Sequence, residues 1–292
     1  MNSFELMEPA TLDEAVSLLD PEDAGVRVIA GGTALMLMMK ARLFHPVRLI
    51  SLRHLDGEIR GVRQGADGGL RIGALTTLVE LERSALVAAT FPVLTRALRT
   101  LSNVRVRNVA TLGGHLAHGD PHMDLPPILL TLGARVRTIG PRGERWIDIA
   151  DLIVGYYQVA LDKDELIVEV DVPAQPPSVF TSYAKFAALS ADDWPSVGVA
   201  VWCRTDSGRI AEARVAVSAA TERPTRVPGA EAALVGGGAT MEAFASAADA
   251  AAREVQPLAD IRGSAAYKRE MVRVHVRRAL VAALHDTSRR AE

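Results

Sequence analysis

The first fifty residues alternate between helical patterns and a short apolar run that leads into a glycine pair. Residues 11–19 begin with a capping box and continue as a helical stripe of apolar positions. Residues 27–30 form a brief apolar run that ends at Gly31 and Gly32, and residues 34–42 are rich in Leu and Met. The pattern therefore predicts the order helix, strand, glycine turn, helix.

The second half of the chain changes character at a proline-rich segment. Residues 166–172 alternate as a strand does, and three prolines follow within residues 173–177. Three further apolar runs predict strands: residues 183–187, 197–203 and 213–219. From about residue 230 the chain is alanine-rich and helical in pattern. We predict an α+β protein of two domains with a boundary near residue 175.

Composition and charge narrow the classes of function. Lys plus Arg total 33, Asp plus Glu total 35, and aromatic residues make up 4% of the 292 residues. This near-neutral balance favours neither nucleic acid nor an anionic membrane surface as a partner. The chain start lacks the pattern of a signal peptide, and residues 28–39 are too few to span a bilayer. We therefore expect a cytoplasmic protein with no nucleic-acid partner and no membrane insertion.

The single cysteine also excludes a class of cofactor on this chain. Iron–sulfur clusters need several thiolate ligands, and Cys203 stands alone. It cannot form an internal disulfide either, which is compatible with a reducing compartment.

The first glycine pair is a candidate binding feature because it lies between a predicted strand and a predicted helix. In VIAGGTAL, residues 28–35, glycine allows the backbone to turn sharply and to approach a ligand. Unpaired N–H groups at the start of the following helix favour an anion such as a pyrophosphate. The spacing is not that of the GxGxxG dinucleotide pattern. A purely structural turn and a phosphate cradle are both open interpretations.

A second glycine segment, NVATLGGHLAHGDPHMD at residues 108–124, is richer in titratable groups. These groups are His115, His118, Asp120, His122 and Asp124. A cluster of His and Asp suggests a metal site. Its spacing matches neither a helical HxxxH pair nor a zinc knuckle. A polar loop made of turn-forming residues is the alternative interpretation.

Together the two glycine segments resemble those of a known family. The chain is similar to the medium, FAD-binding subunit of the molybdenum hydroxylase family, of the aerobic carbon monoxide dehydrogenase and xanthine dehydrogenase type. The resemblance covers essentially the whole chain, and RNVATLGG with its following DP and D is its most specific part. The segments that carry it are AGGTALMLMMK (30–40), RNVATLGGHLAHGDPHMDLPPILLTLGA (107–134), DELIVEVDVP (164–173) and YAKF (183–186).

The resemblance implies a fold. An FAD-binding domain at residues 1–175, of the PCMH-like type, would contain two α/β subdomains at about residues 1–55 and 56–175. A C-terminal domain at residues 176–292 would pair a three-stranded antiparallel sheet with a helical bundle. The boundary agrees with the one that the proline-rich segment indicates.

The resemblance also implies an FAD site. Residues 30–35 would wrap the pyrophosphate with backbone N–H groups, and residues 111–115 would form a second loop on the diphosphate and ribityl side. The implied site residues are Ala30, Gly31, Gly32, Thr33, Ala34, Leu35, Leu101, Thr111, Gly113, Gly114, His115, Asp124, Ile167 and Lys185.

The remaining implied contacts come from single side chains. Asp124 would accept a hydrogen bond from the polar edge of the cofactor, and Leu101 and Ile167 would pack against the flavin or the adenine. Lys185 would lie near polar cofactor atoms, where a cation stabilises charge on a reduced flavin. No motif for covalent attachment is present, so the resemblance implies non-covalent FAD.

Three positions depart from the family pattern. His115 stands where asparagine is usual, so we expect a pH dependence near the free histidine pKa of ~6.5. Leu189 stands where arginine is common, and Trp194 followed by Pro195 replaces an aromatic residue followed by alanine. The last two changes are expected near the flavin face and therefore bear on its behaviour as an electron acceptor.

The function implied by the resemblance is electron transfer within a complex. A small partner subunit would hold [2Fe–2S] clusters, and a large partner would hold the molybdenum cofactor. FAD on this chain would pass the electrons to an external acceptor, and the assembly would be a dimer of heterotrimers. A self-sufficient FAD-dependent oxidase and a flavin-free scaffold subunit of the same fold are the alternatives.

Overall fold

The N-terminal part of the chain is a small parallel sheet with two helices. The structure, a computed structural model, describes residues 3–288. The elements are β1 (Glu5–Met7), α1 (Leu12–Ser17), β2 (Val26–Ile29), α2 (Thr33–Lys40) and β3 (Arg48–Ser51). The strands pair in the order β1–β3–β2. The predicted order of helix, strand, glycine turn and helix is therefore confirmed.

The next part is an antiparallel sheet flanked by short helices. Its strands are β4 (Val62–Gln64), β5 (Leu70–Gly73), β6 (Arg135–Gly140), β7 (Gly143–Asp148), β8 (Ile153–Gly155), β9 (Gln158–Val159) and β10 (Leu166–Val172). Its helices are α3 (Leu78–Arg83), α4 (Ala85–Thr90), α5 (Pro92–Thr100), α6 (Val104–Arg107), α7 (Leu112–Ala117), α8 (Leu125–Leu132) and α9 (Ile149–Leu152), with a 3₁₀ turn at Gly57–Ile59. Strands β8 and β9 form a separate hairpin, and the other five pair in the order β4–β5–β10–β6–β7.

The central strand β10 is buried along its whole length although it carries two carboxylates. Glu169 accepts a hydrogen bond from Arg63 at 2.7 Å, and Asp171 accepts one from Arg135 at 2.8 Å. These arginines belong to other strands of the same sheet. A buried charge is tolerated when a partner of opposite sign compensates it.

The C-terminal part is an antiparallel sheet packed against helices. Its elements are β11 (Val179–Phe186), β12 (Val197–Asp206), β13 (Arg209–Ser218), β14 (Thr225–Arg226), α10 (Pro228–Leu234), α11 (Met241–Glu254) and α12 (Ala265–Ser288). The strands pair in chain order, and the two-residue β14 adds a short fourth strand to the three predicted ones. The predicted fold class is confirmed. Residues 1–2 and 289–292 of the predicted domains lie outside the described residues. None of the helices among residues 3–288 has both the length and the apolar character of a membrane span.

This C-terminal sheet is covered on both faces. Val199 and Val201 in β12 pack with the C-terminal helices, whereas Ala200 and Trp202 pack with the core of the preceding part. The alternation follows from the two-residue period of a strand. Trp202 is fully buried, and its indole N–H donates to the side-chain oxygen of Gln175 at 2.7 Å. The two parts of the chain therefore share one packed interface.

The Trp202→Ala variant tests this interface. We expect the free energy of unfolding in urea to fall by about 3–5 kcal/mol, because a large buried side chain is removed. Trp146→Ala is the matched control, since Trp146 is 38% exposed and its ring stacks with the side chains of Arg71 and Arg135. The control should lose about 1 kcal/mol or less. Equal losses in the two variants would contradict the shared interface.

Candidate functional site

One cavity of about 570 Å³ lies where the three parts of the chain meet. It is lined by the turn between β2 and α2, by the segment around α7, by β10 and by the end of β11. All fourteen residues predicted to bind a cofactor line this cavity. Its volume is in the range typical of small-molecule and cofactor sites.

The first glycine loop supplies unpaired backbone donors to the cavity wall. Gly32 adopts a left-handed backbone conformation, with φ +68°, and caps α2 without a side chain. Met36 N–H is the first in α2 to donate within the helix, to Gly32 O at 2.9 Å. Among residues 3–288, the N–H groups of Gly32, Thr33, Ala34 and Leu35 find no acceptor. Together with the helix dipole, four such donors favour an anionic group at this position.

The second loop packs directly against the first. A Cβ built on Gly31 would lie 2.0 Å from the carbonyl oxygen of Val109 and 2.8 Å from the Cα of Ala110. No side chain fits there. Gly31 was predicted to allow a ligand to approach the backbone, but here its lack of a side chain lets the two loops touch.

The backbone donors of the second loop are used within the protein. Leu112 N–H donates to Thr76 O at 3.0 Å, and Gly113 N–H donates to Ala74 O at 2.8 Å. Gly114 N–H donates to the hydroxyl oxygen of Thr111 at 3.2 Å. These three donors are therefore satisfied before any ligand binds, and the loop offers side chains to the cavity.

His115 is the side chain of this loop with an unmet hydrogen-bonding group. Its Nε2 atom is buried and has no partner among the described residues. Burial, assisted by the nearby His118, lowers the pKa of His115 to about 3, although Asp120 opposes the shift. The ring is therefore neutral near pH 7. The expectation that His115 titrates near the free histidine pKa in the folded chain is therefore wrong, because burial disfavours the charged form.

A buried polar network connects two residues of the cavity wall, Asp124 and Lys185. Asp124 accepts hydrogen bonds from the Tyr183 hydroxyl at 2.8 Å and from the Lys185 ammonium at 3.2 Å. Lys185 also donates to Thr100 O at 2.9 Å. Burial raises the pKa of Asp124, and the cation of Lys185 counteracts that rise. Predicted site residues from both domains, Asp124 and Lys185, are thus brought into direct contact.

Tyr183 was not among the predicted site residues. It lies two positions before Lys185 on β11, and residues two apart on a strand share one face. Burial raises its pKa well above the usual value, so its hydroxyl remains a donor to Asp124. In the strand YAKF, side-chain alternation places Tyr183 on the same face as Lys185, and this sequence signal could have identified Tyr183.

Arg107 is a second supporting residue that sequence reasoning did not assign. It is 8% exposed, and its Nε donates to Glu82 at 2.8 Å. Its Nη1 donates to the carbonyl oxygens of Leu101, at 3.1 Å, and Ser102. Ser102 has a left-handed backbone with φ +54°. Arg107 therefore fixes the strained turn that places Leu101 on the cavity wall.

Of the five histidines and aspartates that suggested a metal site, His118, Asp120, His122 and Asp124 contact other side chains. The Asp120 carboxylate accepts hydrogen bonds from the His122 backbone at 2.8 Å and the Tyr157 hydroxyl at 3.0 Å, and lies 2.9 Å from the His122 ring. His118 packs edge-on against Tyr157. Among the described residues, no group of three or more His, Cys, Asp or Glu side chains is arranged to hold a metal ion.

The departures from the family pattern separate by location. His115 and Trp194 line the cavity. Leu189 is 88% exposed and is not among the residues that line it. The expectation that Leu189 lies near the flavin face therefore finds no support in the geometry.

Comparison with known proteins identifies the family. The family described as the FAD binding domain in molybdopterin dehydrogenase matches residues 2–175, and the CO dehydrogenase flavoprotein C-terminal domain matches residues 182–283. The chain belongs to the FAD-binding medium subunits of the molybdenum hydroxylase family. The family, the FAD cofactor and the oxidoreductase class predicted from the sequence are thus confirmed.

Individual relatives cover nearly the whole chain. The carbon monoxide dehydrogenase medium chain of Hydrogenophaga pseudoflava is 34% identical, over 96% of each chain. The nicotine 6-hydroxylase medium subunit of Paenarthrobacter nicotinovorans is 35% identical, over 94% of this chain and 95% of that one. A solved structure of carbon monoxide dehydrogenase from Hydrogenophaga pseudoflava superposes with a TM-score of 0.93, at 36% identity, over 97% of this chain and 98% of that one. Quinoline 2-oxidoreductase from Pseudomonas putida 86 gives a TM-score of 0.91, at 30% identity, over 98% of each chain.

The residues present fit FAD. The unpaired donors at the start of α2 match the needs of a pyrophosphate, and the unpartnered His115 Nε2 offers a further polar contact. Leu75, Leu78 and Leu101 supply an apolar wall for a ring system. FAD, when bound, supplies the redox chemistry that protein side chains lack.

The pKa of His115 gives a test of its buried state. In the unfolded chain histidine titrates near ~6.5, so below that pH the unfolded state binds one more proton than the folded state does. Acidification from about pH 7 to about pH 5 should therefore destabilise the wild type by about 2 kcal/mol more than the His115→Asn variant. Urea unfolding without added FAD measures the difference. The same pH dependence in both proteins would show that His115 is protonated in the folded state.

Proposed function

We propose that this chain is the electron-transferring subunit of a molybdenum hydroxylase complex. Its FAD takes electrons from the [2Fe–2S] clusters of a small partner subunit and passes them to an external acceptor. The observation that carries this proposal is that the chain has a cavity suited to FAD but too few cysteines to bind an iron–sulfur cluster. Its one cysteine, Cys203, is buried in the C-terminal core, and burial raises its thiol pKa to about 12.

The two loops define how the cofactor would be held without a covalent bond. Residues 30–35 would bind the pyrophosphate through the unpaired N–H groups of α2. Thr111 and His115 would contact the diphosphate and ribityl side with their side chains, while Gly113 and Gly114 keep the second loop close to the first. These are roles that the donor geometry supports.

The side chains around the ring system complete the assignment. Leu101 and Ile167 would pack against the flavin or the adenine. Asp124 would accept a hydrogen bond from the cofactor, and Lys185 would stabilise negative charge on the reduced flavin. The fixed contacts of Asp124 and Lys185 with each other and with Thr100 mean that little reorganisation is needed when that charge forms.

A self-sufficient oxidase is less well supported than an electron carrier. Two buried carboxylates of the cavity, Asp120 and Asp124, each accept at least two hydrogen bonds from protein donors, which suits them poorly to abstract a proton from a substrate. A flavin-free scaffold is also less well supported, because the uncapped start of α2 shares the cavity with His115, whose buried Nε2 has no partner among the described residues.

The choice of substrate is expected to lie on another subunit. Two relatives that are 34% and 35% identical to this chain are named for different substrates, carbon monoxide and nicotine. The same medium-chain architecture therefore accompanies different substrates. We propose a large subunit with the molybdenum cofactor, a dimer of heterotrimers and a cytoplasmic location. Within this chain we propose an FAD-binding domain at 1–175, with subdomains at about 1–55 and 56–175, and a C-terminal domain at 176–292.

A reoxidation experiment tests the electron-transfer role. The complex is isolated through a tag on this chain, reduced anaerobically, freed of excess reductant and mixed with oxygen or a quinone. Reoxidation of the [2Fe–2S] clusters is followed by their absorption. In a Gly31→Val complex that lacks FAD we expect this rate to fall at least about tenfold, because valine would separate the two loops.

Two controls make the result specific. Gly237→Ala should behave as the wild type does, because a Cβ there meets nothing closer than 3.6 Å. Co-purification of both partners with Gly31→Val must show that the complex still assembles. Equal reoxidation with and without FAD would refute the proposal, and rapid turnover of a small organic substrate by the isolated FAD-loaded chain would favour an oxidase.

A further inference from the structure

Trp194 lies at the edge of the cavity on the loop that joins β11 to β12. It is 40% exposed and lines the cavity. Its backbone N–H donates to the Asp193 carboxylate at 2.8 Å, and Asp193 N–H donates to Ser190 O at 3.2 Å. Ser196 N–H closes the base of the loop by donating to Phe186 O at 2.7 Å. These bonds shape the loop, but they do not attach its tip to the cavity.

Two side chains from other segments contact the Trp194 ring. The His122 ring centroid lies 6.0 Å from that of Trp194, with an angle of 32° between the planes. The guanidinium carbon of Arg262 lies over the Trp194 ring at 5.7 Å. Contacts of these kinds stabilise an aromatic ring in place.

Asp260 connects both of these side chains. One carboxylate oxygen accepts a hydrogen bond from the backbone N–H of Arg262 at 2.8 Å. The other lies 3.3 Å from His122 Nε2 and 2.8 Å from the ammonium of Lys268, which is 1% exposed. His122 Nδ1 is held at 2.9 Å by Asp120. We call Asp260, His122 and Arg262 the Asp260 clamp.

The clamp spans both parts of the chain. His122 precedes α8 and lines the cavity. Asp260 and Arg262 lie between α11 and α12, and Asp260 is 138 residues beyond His122 in the chain. The buried Lys268 anchors the clamp, because a lysine ammonium at 1% exposure requires its carboxylate partner. A movement of Asp260 would therefore shift both supports of Trp194 together.

We infer that His122, Asp260 and Arg262 are positioning residues for FAD, which hold Trp194 over the mouth of the cavity and thereby slow release of the cofactor. This inference rests on the proposed FAD site. The C-terminal part then does more than pack against the preceding part of the chain, because it sets how long the cofactor stays bound. Trp194 would contact FAD directly, and the clamp would act on FAD through Trp194.

A double-mutant cycle on FAD release tests the inference. The full chain loaded with FAD is mixed with an excess of an apo-flavoprotein that traps free FAD, and release is followed by flavin fluorescence. Trp194→Ala and His122→Ala should each speed release roughly tenfold. The double variant should be no faster than the faster single variant, because both changes remove the same restraint. Rates that multiply in the double variant would overturn the inference.

Further variants separate this inference from the proposed function and from loss of folding. Arg262→Gln changes only a half-buried side chain of the clamp and should also speed release, with an unchanged melting temperature. His54→Ala is the control, because His54 is exposed and its ion pair, with Glu8 at 3.4 Å, lies outside the clamp. Stoichiometric FAD with unchanged release rates in all variants would reject the clamp and leave the FAD site intact. A wild-type chain that binds no FAD would reject the site itself.

Discussion

The contact between the two glycine loops is the constraint on which the cavity depends. At Gly31 the carbonyl oxygen of Val109 occupies the place of a side chain, at 2.0 Å from where a Cβ would be. Because the loops touch there, the start of α2 is fixed against the segment that carries Thr111 and His115. The unpaired N–H groups of α2 and the side chains of the second loop consequently line one cavity. The two loops differ in what they offer to a ligand. The first provides unpaired backbone N–H groups, whereas the N–H groups of the second already donate to acceptors within the protein.

Buried ion pairs make the C-terminal part an integral component of this site. Lys185 reaches from β11 to Asp124 beside α8, and Lys268 in α12 is paired with Asp260, which contacts His122. Each pair compensates charges that would otherwise be costly to bury. The fully buried Trp202 adds apolar contact between the same two parts. The cofactor would thus lie at a junction whose walls come from three parts of the chain, which suits an electron carrier that must keep its flavin in a fixed position.

The sequence predicted the local elements that carry strong periodic or capping signals. The strand before Gly31 and the helix after Gly32 lie within a residue or two of their predicted positions. The fourteen residues that the resemblance assigned to FAD all lie among the residues that line the cavity. Strand β7 was not predicted, because Gly143–Asp148 is almost entirely exposed and lacks apolar alternation. It is defined by its pairing with β6, which a local pattern does not reveal. The pKa of His115 and the His122–Asp260 contact were beyond prediction for the same reason, since burial and long-range contacts arise only in the folded chain.

A visible absorption spectrum of the purified chain, followed by heating and identification of the material released, tests the FAD site directly. We expect flavin bands and one equivalent of FAD released by heat, because hydrogen bonds and packing hold the cofactor without a covalent bond. A colourless chain that takes up no added FAD, either alone or when co-expressed with its iron–sulfur and molybdenum partners, would refute the site.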